Sequence, residues 1–185
     1  AVIDAVVDLL RAEVPGIGFA AEWVAIGDEV PFSHEVGYRA RYPVPDAAIV
    51  GDVRELTRGR DIVKLLARVH GGDHDADSFL AHGLDHVSHL VTVTHSNSAD
   101  VLLEMSAHGV TKGLALADVA DMLGVPAPAV AAAGDMPNDI PMLDWAGVGL
   151  AVEGAHADVV AAAAAVLPGP AADGVARFVD AVLGS

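Results

Sequence analysis

The chain has 185 residues, 53% hydrophobic and 19% charged, with a formal net charge of −16 and no cysteine. This balance is globular rather than disordered, leaves room for one large domain or two small ones, and excludes disulfides and thiolate metal sites. The negative charge argues against nucleic acid or an anionic membrane as a partner, and no apolar stretch approaches a membrane span.

The N-terminus Ala1-Val2-Ile3-Asp4 lacks the basic start and long apolar core of a secretory signal. Together with the cysteine-free composition this fits a cytoplasmic protein. The chain begins without Met and directly in helical pattern, so the expectation is a truncated or processed chain.

Ile3, Val6, Val7 and Leu10 fall at i, i+3, i+4 and i+7 and predict an amphipathic helix over Ala1 to Glu13, ended by Pro15-Gly16. Phe19 to Ile26 and Glu35 to Tyr42 are expected as strands, with a turn at Gly27-Asp28 between them. Ile62 to Val69 is a further strand, broken by Gly71-Gly72, and Asp77 is placed to cap a helix running to about His86. Leu90 to Thr94 and Val101 to Met105 form a hairpin across Ser96-Asn97-Ser98. Residues 1–105 are thus expected as a mixed α+β unit.

From Gly109 the pattern alternates helix and strand. Leu116, Val119, Ala120 and Leu123 make a helical stripe closed by Gly124. The short apolar run Val130 to Ala133 suits a strand buried in a parallel sheet, and a helix to Ala146 follows. Val148 to Val152 is a second strand, Ala155 to about Ala163 a helix that takes in the alanine run, Val166-Leu167 a third strand and Asp173 to Leu183 a closing helix. The fold class is α/β: half of a doubly wound, Rossmann-like parallel sheet over residues 106–185, with an α+β unit before it. Half a sheet leaves an edge uncovered, which favours association with a further segment or a second copy.

Two lysines, Lys64 and Lys112, stand against eight arginines. Thr111 can cap the helix beginning at Lys112, where a cation is unfavourable because that end already carries about half a positive charge. Lys112 and Gly113 make sense there if an anion docks, although a lysine reaching solvent satisfies the same spacing. Gly134-Asp135-Met136-Pro137-Asn138-Asp139 follows a strand, where ligands sit in open α/β sheets. Asp135, Asn138 and Asp139 offer hard oxygen atoms within five residues, suited to Mg²⁺. Asp139 can alternatively cap the helix ahead of Pro141, or cap it while pairing with Lys112.

Gly109-Val110-Thr111-Lys112-Gly113 and Gly134-Asp135-Met136-Pro137-Asn138-Asp139-Ile140-Pro141-Met142-Leu143 resemble the third and fourth motifs of the haloacid dehalogenase (HAD) superfamily, and most nearly its Cof-type sugar-phosphate phosphatases. Ala146-Gly147-Val148-Gly149-Leu150-Ala151-Val152 and Asp173-Gly174-Val175 match that family's later pattern. The resemblance is densest over residues 108–152, while residues 1–105 match by position, as the substrate-selecting cap. It implies a Mg²⁺-dependent phosphatase acting on a small phosphorylated metabolite through an aspartyl-phosphate. By the same resemblance Asp135 ligates Mg²⁺, Lys112 steadies the nucleophile and the phosphate, Asn138 contacts the phosphate, and Asp139 orients Lys112.

The family's first motif, an apolar strand running into Asp-x-Asp-Gly-Thr, is absent from these 185 residues, as is the Ser or Thr of its second. Asp73-His74-Asp75-Ala76-Asp77 is read as a capping loop rather than a substitute nucleophile. The expectation is a cap plus the C-terminal half of a core, inactive alone and complemented by an N-terminal segment or a homo-oligomer partner. The competing reading is a non-catalytic module that binds Mg²⁺, phosphate or a partner chain. P-type ATPases share a similar fourth motif but need membrane helices and Asp-Lys-Thr-Gly-Thr, neither present here. His70, His74, His82, His86 and His89 are read as solvated polar positions rather than a Zn²⁺ site, and Trp23 and Trp145 as core or interface. His34, Glu35 and Arg39 are candidates for facing a substrate.

Overall fold

A computed structural model describes residues 1–40, 43–46, 48–71 and 73–184. Tyr42 and Gly72, used above as a strand end and a breaker, lie outside the described residues. The chain divides into two compact units, Ala1–Gly109 and Val110–Ser185.

The first unit runs α1 (Val2–Glu13), β1 (Gly18–Trp23), β2 (Phe32–His34), β3 (Ile49–Val50), α2 (Val53–Leu56), β4 (Ile62–Arg68), α3 (Ala76–Val87), β5 (Val91–Thr94) and β6 (Leu102–Ala107). Its six strands lie in the order β3-β2-β1-β4-β6-β5. Because successive strand side chains point to opposite faces, β1 sends Phe19 and Ala21 to one side and Ala20 and Glu22 to the other. The first side packs on α1 and α3: Val6, Val7, Leu10, Phe79 and Val87 join Leu65, Leu103 and Met105 in the main core. Gly83 lets α3 lie close to the sheet, since a Cβ there would stand 2.7 Å from Leu103 Cδ1. The opposite side carries a smaller cluster of Ala20, Tyr38 and Leu66.

Several expectations need correction here. The segment from Glu35 is not a strand; β2 ends at His34 and a 3-10 turn spans Val36–Tyr38. The cause is the Glu35 carboxylate. It accepts hydrogen bonds from the backbone N–H groups of Phe19 (3.1 Å) and Val53 (3.1 Å) and pairs with Arg11, so the chain is tied to its neighbours through a side chain and not a ladder. Of the three candidates for facing a substrate, Glu35 is therefore committed to structure. The helix α3 is capped by Asp75, not Asp77: Asp75 Oδ1 accepts from Ser78 N at 2.8 Å in a reciprocal capping box. His82 and His86 are half-buried and stacked, with ring centroids 4.2 Å apart, rather than solvated. The sequence reading also missed β2, β3 and α2, all short.

The second unit runs α4 (Lys112–Leu123), β7 (Ala131–Gly134), α5 (Ile140–Trp145), β8 (Val148–Val152), α6 (Ala157–Ala162), β9 (Ala165–Leu167) and α7 (Gly174–Leu183). The strands are parallel and ordered β7-β8-β9, giving the half of a Rossmann-like sheet that alternation of helix and strand predicts. Its core joins Ala132, Leu143, Ala151 and Val159. The alanine run is not one helix, since α6 stops at Ala162 and β9 starts at Ala165. Within α4 only Gly113 and Ala120 are buried, and Val119 and Leu123 of the expected stripe are exposed.

Candidate functional site

Thr111 caps α4 by accepting from Leu114 N at 3.1 Å, which puts Lys112 in the first turn. Gly113 is needed for packing: a Cβ would stand 2.2 Å from the carbonyl oxygen of Pro141, so α4 meets the start of α5 backbone to side-chain-free backbone. This close approach brings Lys112 to the tip of β7.

At that tip Gly134 ends the strand and Asp135 follows it, beyond the carboxyl end of a parallel strand. A 3-10 turn over Pro137–Asp139 folds the chain back, so that the Asp139 carboxylate lies against Gly134; a Cβ on Gly134 would be 2.4 Å from Asp139 Cβ. Asp139 Oδ2 accepts the backbone N–H groups of Asp135 (3.0 Å) and Met136 (3.1 Å), while Oδ1 takes the Lys112 ammonium at 2.5 Å. Both oxygens of this buried carboxylate are therefore engaged inward. It does not cap α5.

Asp135 differs. Its side chain is exposed and makes no hydrogen bond or ion pair among the described residues, while its backbone carbonyl accepts from His156 N at 2.9 Å. A pocket of about 380 Å³ opens beside it, walled by Val152, Glu153, Pro168 and Asp173. Glu153 shapes that wall by accepting from Gly169 N at 3.1 Å. The half-buried Asn138 carries a fully enclosed Oδ1 that has no hydrogen-bond partner among the described residues. His156 and Glu153 escaped the sequence reading because His156 acts through its backbone N–H and Glu153 through a carboxylate that accepts a backbone N–H, pairings that leave no motif.

The four predicted residues thus gather in one place: Lys112 and Asp139 in contact, Asp135 and Asn138 on the same loop. As a donor set for Mg²⁺, the chain offers the free carboxylate of Asp135, since both Asp139 oxygens are engaged. Among the described residues no group of three or more His, Asp or Glu could hold a metal. A single hard oxygen ligand fits Mg²⁺, which keeps several waters and is often held by one or two carboxylates plus a phosphate.

The lysine at a helix start and the carboxylates at a strand tip lie at the carboxyl edge of a parallel sheet, where open α/β folds place their ligands. Residues 47–179 match the family model of the haloacid dehalogenase-like hydrolases, and the chain belongs to that family. It is 31% identical over 131 residues to the 5-amino-6-(5-phospho-D-ribitylamino)uracil phosphatase YitU of Bacillus subtilis, covering 70% of this chain and 47% of that protein. It is 37% identical over 78 residues to a phosphoglycolate phosphatase of Methanothrix thermoacetophila, covering 42% of this chain and 35% of that one. The chain therefore spans half the length or less of these relatives. Among solved structures, SMU.1108c from Streptococcus mutans aligns over 100% of this chain and 68% of its own, with a TM-score of 0.77 at 20% identity. The HAD subclass IIB sugar phosphatase BT4131 aligns over 99% and 66%, with a TM-score of 0.73 at 17% identity. These last two likenesses are of fold.

Proposed function

We propose that the chain is the cap and C-terminal core portion of a Mg²⁺-dependent phosphatase that hydrolyses a small phosphorylated metabolite such as a sugar phosphate. The observation that carries this reading is the Lys112–Asp139 pair, whose buried carboxylate also holds the backbone N–H of Asp135. Phosphoryl transfer is catalysed mostly by positioning and charge neutralisation, which is what this arrangement supplies.

Lys112 holds its ammonium beside the reacting phosphoryl oxygens and offsets their growing charge. Asp139 fixes the lysine's position through one oxygen and the β7 loop through the other. Asn138 brings an amide N–H to the phosphate, since an amide has donors as well as an acceptor. Asp135 supplies a carboxylate to the metal, which when bound neutralises phosphate charge and orients the ester. Residues 1–105, within the first unit, select the substrate. The exposed edge of β7 pairs with an upstream segment bearing the Asp-x-Asp-Gly-Thr nucleophile, and the 185-residue chain alone is inactive. The relatives that are phosphatases of phosphorylated small molecules support the substrate class.

The test is p-nitrophenyl phosphate hydrolysis by the natural protein with its upstream sequence. Hydrolysis should require Mg²⁺ and disappear in Asp135→Asn. A Mg²⁺-independent rate, or one that survives Asp135→Asn, refutes the reading. Turnover by the 185-residue chain alone would place the nucleophile within it.

A further inference from the structure

The helix α3 carries His82 and His86 four residues apart, so both rings project from one side of it, one turn above the other. The rings stack with centroids 4.2 Å apart and 25° between their planes. A third imidazole, His74, lies 5.6 Å from His82. The adjoining side of the helix buries Phe79, Gly83 and Val87.

Hydrogen bonding fixes which of the ring nitrogens are bare. His86 Nδ1 lies 2.8 Å from the carbonyl oxygen of His82, and a carbonyl only accepts, so Nδ1 carries the hydrogen. The neutral His86 ring therefore presents Nε2 as a lone pair. His82 is half-buried, and its Nε2 is fully enclosed with no hydrogen-bond partner among the described residues. A neutral ring keeps its one hydrogen where an acceptor can meet it, which leaves His82 Nε2 bare as well. The carboxylates of Glu13, at the end of α1, and of Asp85 act on His82 and favour a cation beside it.

An enclosed lone pair with no donor is costly, and one ion can satisfy both rings at once. Zn²⁺, Ni²⁺ and Cu²⁺ suit imidazole, and metal–nitrogen bonds of about 2.0–2.1 Å let a single ion bridge rings stacked at this distance. The carbonyl on His86 Nδ1 is the kind of orienting bond that metal-bound histidines make through their second nitrogen. Among the described residues no group of three or more His, Asp or Glu could hold a metal, so two imidazoles share the ion with water. We infer that His82 and His86 bind a borderline divalent cation of the Zn²⁺, Ni²⁺ and Cu²⁺ class, which clamps the last two turns of α3 and stabilises the first unit. Nitrogen ligands set this site apart from the oxygen of Asp135, and it stands whether or not the natural protein is a phosphatase.

Paramagnetic Ni²⁺ is the probe, added to the 185-residue chain at about pH 7.5, where imidazoles are neutral and free to bind metal. One equivalent should broaden the amide NMR signals around His82 and His86 before those near any other histidine, and should raise the thermal unfolding temperature. His86→Gln, with unchanged circular dichroism, removes one imidazole of two; it should weaken Ni²⁺ binding about tenfold or more and abolish the thermal shift. His89→Gln alters an exposed histidine three residues further on and should leave both unchanged. Excess Mg²⁺ should not compete, because it takes oxygen ligands. Broadening that starts at another histidine, an affinity unchanged in His86→Gln, an equal loss in His89→Gln, or displacement by Mg²⁺ overturns the inference.

Discussion

Lys112 Nζ lies 2.5 Å from Asp139 Oδ1 across 27 positions of chain, and the other oxygen of that carboxylate holds the backbone N–H of Asp135. One buried carboxylate thereby ties the start of α4 to the tip of β7. Its effect is to fix where a positive charge and a free carboxylate stand relative to each other.

The pair should prove asymmetric in stability. The Lys112 side chain is 50% exposed and that of Asp139 only 6%, so solvent screens the attraction and the coupling in a Lys112→Met/Asp139→Asn cycle should be about 0.5–1 kcal/mol. Asp139→Ala should cost more, about 2–4 kcal/mol, because two backbone donors lose their acceptor in a buried place. Urea unfolding of the four variants measures both quantities.

Gly134 and Gly113 should tolerate no Cβ. In Gly134→Ala the new methyl meets Asp139 Cβ at 2.4 Å, and in Gly113→Ala it meets the Pro141 carbonyl oxygen at 2.2 Å. Each should lose about 1–3 kcal/mol or more through forced backbone shifts. Thermal unfolding should show the drop, and the Gly113 variant should also change Lys112 chemical shifts as α4 moves.

Asp100→Ala should destabilise the first unit strongly, by about 3–5 kcal/mol, since it leaves the buried Arg68 guanidinium unpaired. Replacing both partners by apolar residues, Arg68→Met with Asp100→Leu, should recover most of that loss. Denaturant midpoints of the single and double variants decide it.

Acid should weaken the fold through His82. Burial first, then His86 and His74 beside it, lower its pKa below the ordinary 6.5. The fold favours the neutral ring, so this contribution is present above pH 6.5 and is lost as pH falls below it, where the unfolded chain takes up the proton more readily. His82→Asn should flatten the fall in urea midpoint between about pH 7.5 and about pH 5.5.

The parts of this molecule legible in the sequence are those fixed by local rules. The stripe Ile3, Val6, Val7, Leu10 predicts α1, and Gly124, at φ 66°, ends α4 as a left-handed cap should. The site loop was visible as a cluster of oxygen-bearing residues after a strand, and the ion pair of Asp139 with Lys112 was one of the arrangements that spacing allowed. What escaped depends on partners far along the chain. Glu35 ends a strand where propensity would extend one because its carboxylate serves Phe19, Val53 and Arg11. The choice of Asp75 over Asp77 as cap turns on a reciprocal bond with Ser78, and the Asp77 carboxylate instead lies 3.1 Å from His95 Nε2.

The most direct measurement is the turnover number of the natural full-length protein for p-nitrophenyl phosphate after Lys112→Met. Removing a group that stabilises developing phosphoryl charge should lower kcat by about 10²–10³ while the Lys112→Met protein keeps its folded circular dichroism spectrum. A kcat within about twofold of the parent would contradict the account, for Lys112 would then be a surface lysine paired with Asp139 and nothing more.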